Sequence, residues 1–155
     1  MMYPFLLALH SLVRWLVVIT LVASLFNAYR GWLQARPFGA GSKQLRIATV
    51  TAAHIQLVLG ICLYFISPLV HYFLQHFGEA VKMREIRFFG MEHSSMMLLS
   101  IILLTIGSAK AKRKTSAREQ YKTIAIWYSI AFVILFFSIP WGFSPLTHRP
   151  YYRPF

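Results

Sequence analysis

Five ionisable side chains, His10, Arg14, His54, Glu92 and His93, interrupt stretches of sequence that are otherwise mostly Leu, Ile, Val, Phe and Ala. A charge near the middle of an apolar span costs about 2.5–3.5 kcal/mol to insert, so such residues usually face one another, a cavity or a bound group. Three of the five are imidazoles, and an imidazole can ligate iron through one ring nitrogen while the other holds a hydrogen bond. Two chemistries suit this set. A pair of imidazoles can supply both axial nitrogens of a haem iron. Alternatively, His10, His54, His93 and the Glu92 carboxylate are a ligand set for a single Zn, Cu or non-haem Fe ion, if all four reach one point. That second reading has no tight local motif such as HExxH, so spacing adds nothing in its favour.

The elements that must position these groups are four apolar runs, roughly 5–28, 45–66, 88–107 and 124–141. Each is near the length of about 20 residues that a helix needs to cross a bilayer. Backbone groups cannot go unpaired in hydrocarbon, so the runs are expected to be helices, and short connections make sequence neighbours antiparallel. In such a bundle the first and third spans are diagonal. His10 and His93 each stand five residues in from the outer end of their runs. Both are therefore expected about 8 Å below the outer boundary, able to face each other across the core. His54, nine residues into the second run from the inside, falls near the midplane and is either close to a ligand of the first pair or a replacement for one member of it. The fourth run contains no histidine, which argues for one haem rather than two. Arg14 follows His10 by one turn and is expected to meet Glu92 or a haem propionate. Arg87, at the outer end of the third run, is the more conventional propionate partner.

Composition supports the membrane assignment. Of 155 residues, 57% are hydrophobic and only 13% charged, with mean hydropathy +0.56, outside the usual range of a soluble domain. The net charge of +12 does not indicate nucleic acid here, because the basic residues cluster between the runs, where they act as orientation signals and lipid-headgroup contacts. Arg30, Arg36, Lys43 and Arg46 follow the first run, and Lys110, Lys112, Arg113, Lys114, Arg118 and Lys122 follow the third. The other side carries Lys82, Arg84, Arg87, Arg149 and Arg153, offset by Glu79 and Glu85. The expected fold is an all-α, up-down-up-down integral membrane bundle with both termini outside. The first run has no positive charge before Arg14, unlike a secretory signal, and reads as a retained span. Cys62 is the only cysteine, so no intramolecular disulfide is possible.

The long connection "SPLVHYFLQHFGEAVKMREIR" has the mixed character of a segment lying in the outer interface, suited to form a lid. The tail from 142 to 155, with its prolines, is expected to be extended. His71, His76 and His148 read as interfacial residues, Met91, Met96 and Met97 as packing, and Gly60, Gly90 and Gly107 as points of close helix approach.

The stretches "LHSLVRW", "AHIQLVLG" and "FFGMEHSSMM" resemble small four-span membrane cytochromes b, in particular short bacterial proteins labelled cytochrome B. The resemblance covers most of the chain. It implies haem b held by two of His10, His54 and His93, electron transfer in a bacterial inner membrane, and a respiratory context in which quinone or other subunits are the partners. The chain departs from the better-known four-helix cytochromes b, which usually carry more histidines and place one in the fourth span. That departure weighs against a two-haem arrangement and against quinone or superoxide chemistry. A cofactor-free accessory subunit, its polar residues fixing helix packing, is the alternative of a different class.

Overall fold

The computed structural model describes residues 2–142, and all of its regular elements are helical. They are α1 (Met2–Leu33), α2 (Ala40–Ile66), α3 (Pro68–Gln75), α4 (Phe77–Ala80), α5 (Arg84–Arg87), a π-helical turn (Phe88–Glu92), α6 (His93–Lys112) and α7 (Ala117–Ser138). Four helical segments are long and apolar enough to cross a membrane: Met2–Leu33, Ala40–Ile66, Arg84–Lys112 and Ala117–Ser138. The chain is a multi-pass membrane protein. From residue 143 onward the expected tail lies outside the described residues.

The helices run past the apolar stretches at their basic ends. Arg30, Lys43, Arg46, Lys110, Lys112, Arg118 and Lys122, read from sequence as loop residues, are all helical. Lys and Arg are good helix formers, so a span continues into the headgroup region until a specific signal stops it. Those signals are visible. Ser67 and Ile139 take extended conformations before Pro68 and Pro140, the conformation that a following proline favours. At the start of α7, Ser116 Oγ accepts from Glu119 N–H at 3.3 Å, one half of a Ser-x-x-Glu capping box. After α1, Ala35 adopts φ 50° and Arg36 N–H bonds Gly31 O at 3.1 Å, a Schellman-type stop.

Packing closes a ring in which α1 contacts α2, α2 contacts α6, α6 contacts α7 and α7 returns to α1. The cross-helix bonds run in opposite senses along neighbouring helices. Gln56 reaches His10 and Ser42 reaches Asn27 between α1 and α2. Between α6 and α7, Ser100 Oγ donates to Ala131 O at 2.8 Å, and His93 meets Ser138. The interior mixes small residues such as Ala28, Ala53, Ala125 and Ala131 with larger ones such as Leu21, Leu104 and Tyr128, whereas Ile19, Phe26, Phe65 and Phe137 point outward. Lipid tails are as apolar as leucine, so burying large side chains between helices has no advantage over leaving them in lipid. Close backbone approach and interhelical hydrogen bonds of about 0.6 kcal/mol each hold the bundle instead. Ser24 and Thr49 make such a bond at 2.7 Å.

Between α2 and α6 the chain folds as three short helices. Val70 and Phe73 of α3 are buried. The Phe73 ring lies directly over Gly90, where any Cβ would overlap it. Tyr64 OH donates to Gly90 O at 2.9 Å from α2. Gly90 therefore anchors α3 to the turn that leads into His93.

Candidate functional site

His93 is the first residue of α6, directly after the π-helical turn Phe88–Glu92. π-turns are rare, and they recur at functional sites. The turn has a local consequence. Arg87 Nε and Glu92 Oε1 form an ion pair at 2.6 Å, although five residues of α-helix would separate them by about 140° around the axis. The wider π turn brings i and i+5 onto one face. Arg87 also donates to Val81 O at 3.2 Å. The expected meeting of Glu92 with Arg14 is thus replaced by one with Arg87, because the sequence gives no warning of the extra residue in the turn.

The His93 ring is positioned from the far side of the bundle. Its Nδ1 lies 2.8 Å from Ser138 O. A carbonyl only accepts, so Nδ1 carries the proton and Nε2 keeps a lone pair. Ser138 ends α7, and the last carbonyls of a helix have no partner within it. The same frayed turn supplies Phe136 O to the Trp141 indole at 2.7 Å. Phe88 and Phe89 flank the imidazole, with ring centroids 5.7 and 6.0 Å away.

His10 stands across the diagonal on α1. It lies within electrostatic range of both His93 and Arg14. Its Nδ1 is buried and makes no hydrogen bond. Arg14 Nη2 donates to Ser11 Oγ at 3.3 Å, and its guanidinium carbon sits 5.6 Å from the Trp15 ring centroid. Trp15 in turn meets Trp141, centroids 5.8 Å apart. His10, Arg14 and His93 are the expected site residues that the fold brings together. His54 is not with them. It is exposed on α2, and its Nε2 lies 3.0 Å from Thr105 Oγ1.

No family model, curated protein or solved structure matches the chain. Its chemistry therefore has to be read from its own residues. Among the described residues no three His, Cys, Asp or Glu side chains are grouped so that they could hold a metal ion. The set His10, His54, His93 and Glu92 does not converge, since His54 points away from the bundle interior and Glu92 is held by Arg87. Two clefts open elsewhere, one of about 360 Å³ along Leu16, Thr20 and Ile55 and one of about 550 Å³ by Asn27, Arg36 and Tyr121. Neither is lined by His10 or His93.

Sequence reasoning missed one polar residue beside His10. Gln56 Nε2 donates to His10 O at 3.0 Å, and its Oε1 is buried without a partner. A tally restricted to ionisable groups passes over a neutral amide, though an amide in a span is also costly. The signal was its place two residues after His54: positions i and i+2 lie about 200° apart on a helix, so if one faces out the other faces in.

Proposed function

We propose that the chain binds one haem b through His10 and His93 and passes electrons within the membrane. The observation that carries this reading is the His93 Nδ1–H bond to Ser138 O. It is the support that metal-ligating histidines characteristically have, a backbone carbonyl holding one ring nitrogen while the other is left for the metal. Haem with two imidazole ligands supplies one-electron transfer without an open position for oxygen. The chain's residues do the rest. α1 and α6 present the imidazoles from opposite sides of the bundle, and Phe88 and Phe89 shield the His93 ring. Arg14 places a positive charge near both histidines and favours the reduced state. Glu92, paired with Arg87, has its opposite influence largely cancelled, and Arg87 reaches a haem propionate only in competition with that pair.

In this reading the bundle is up-down-up-down in a bacterial inner membrane with both termini outside, as the basic residues of the first and third connections favour. Its partner is the bilayer, and it acts alone or as a small subunit of a respiratory assembly, as the resemblance to small cytochromes b implies.

The test is a reduced-minus-oxidised visible spectrum of the purified protein, with haem and metals quantified per chain, repeated for His10→Ala and His93→Ala. Sharp low-spin bands at one haem per chain, lost in both variants, are expected. A colourless, metal-free wild type whose histidine variants fail to join a larger complex would overturn the reading in favour of an accessory subunit. A bound transition metal without haem would move it to metal chemistry.

A further inference from the structure

Among the buried polar atoms without a hydrogen-bond partner are His10 Nδ1 and Gln56 Oε1, at the same end of the bundle. Their side chains belong to one neighbourhood. Gln56 Nε2 already donates to His10 O at 3.0 Å. Gly60 is one turn further along α2 on the same face, and a Cβ there would stand 3.4 Å from His10 Cε1 and 3.9 Å from Nδ1. The face of α2 carrying Gln56 and Gly60 thus borders the Nδ1 edge of the imidazole, and the missing side chain at Gly60 leaves room for the ring. The two orphan atoms are complementary, since an amide oxygen only accepts and a protonated Nδ1 donates. Left apart in a dry core, each costs about 1–3 kcal/mol. One bond between them, direct or through a single buried water, removes both penalties.

We infer that Gln56 is the positioning residue of His10: its Oε1 accepts the Nδ1–H, which fixes the tautomer whose lone pair is on Nε2. The inference deepens the haem reading and depends on it for the consequence at iron, though not for the tautomer. It gives the two histidines one design. The rings stand on the diagonal helices α1 and α6, and each is oriented by an acceptor from the other diagonal, Gln56 on α2 for His10 and the Ser138 carbonyl on α7 for His93.

The experiment compares wild type with Gln56→Leu and Gln56→Glu, each purified in detergent. If the protein carries haem, the readout is the midpoint potential at unchanged haem content. Gln56→Glu, a stronger acceptor, should shift the equilibrium about tenfold toward the oxidised form, about 59 mV for one electron. Gln56→Leu, with no acceptor, should shift it the other way. Shifts of the same sign, or no shift in either variant, overturn the inference. If the protein carries no haem, the haem reading fails by itself and the inference is decided by 15N spectra of histidine-labelled protein, the His10 signals being assigned with His10→Gln. An Nδ1–H tautomer in wild type and Gln56→Glu that is lost in Gln56→Leu supports it. An Nε2–H tautomer in wild type, or one unchanged by Gln56→Leu, refutes it. Should Gln56→Leu not fold, Gln56→Glu against wild type decides by the sign of the potential shift or by retention of the Nδ1–H signal.

Discussion

Replacing Gly90 by alanine tests how the short helices between α2 and α6 are fastened to the third span. A Cβ at position 90 would overlap Cγ and Cδ1 of the Phe73 ring and its Cβ, and Phe73 is 4% exposed, so it has little room to retreat. Overpacking of this kind costs about 1–3 kcal/mol. Against it stands the gain of about 1 kcal/mol when alanine replaces glycine in a helical backbone. The net effect of Gly90→Ala is therefore a destabilisation between about zero and 2 kcal/mol, and the single variant alone decides little. The cycle with Phe73→Ala does. With Phe73→Ala the clashing Cγ and Cδ1 are gone and only the Cβ, 2.8 Å from the new methyl, remains, so Gly90→Ala should cost less than in wild type, a coupling energy of about 1–2 kcal/mol between the two sites. Thermal or denaturant unfolding in detergent micelles measures all four proteins. Additivity within about 0.5 kcal/mol, the scatter of independent sites, would show that Phe73 does not rest on Gly90 and that α3 is not anchored there.

Four other outcomes are expected. Ser116→Ala should lose about 1 kcal/mol of stability through the α7 N-cap, measured by unfolding in micelles, with Ser116→Asp restoring most of it. Ala35→Gly should gain from a few tenths to about 1 kcal/mol in the same assay, because a left-handed backbone costs an alanine about 1–2 kcal/mol, an advantage for glycine that its greater unfolded-state freedom partly offsets. Arg87→Gln should cost under about 1 kcal/mol, and the difference should shrink in high salt, because its pair with Glu92 is about one-third exposed. In a Cys62→Ser background, a cysteine at Glu79 should react with a membrane-impermeant maleimide from outside intact cells and one at Lys112 should not; the reverse pattern would invert the proposed orientation.

The four spans were legible in the sequence because hydrocarbon sets a length that apolar composition reports directly. Their ends were not, since Arg30, Lys43 and Lys110 continue the helices in regions where hydropathy has already fallen. Height along the spans was accessible from the helical rise, and rotation was not. Small residues such as Ala52 and Ala53 face inward while Ile55 and Val58 face lipid, so the usual apolar stripe is missing and nothing marks the inner face of α2. That is why His54 stayed a candidate beside His10 and His93, and why Gln56 was overlooked. The pairing of Glu92 with Arg87 was illegible for a different reason: the π turn changes the angular spacing between Arg87 and His93, and the letters "FFGME" carry no sign of it.

The stop of α7 at Ser138 has a consequence beyond this one bond. Spare carbonyls exist only where a helix ends, so inside a bilayer the depth of a helix terminus is also the depth at which an acceptor can be offered. Pro140 thereby acts as a ruler. Moving it by one residue would carry the free carbonyl about 1.5 Å along the axis and about 100° around it, and an insertion in the last turn of the fourth span would be felt at the orientation of a histidine on the third.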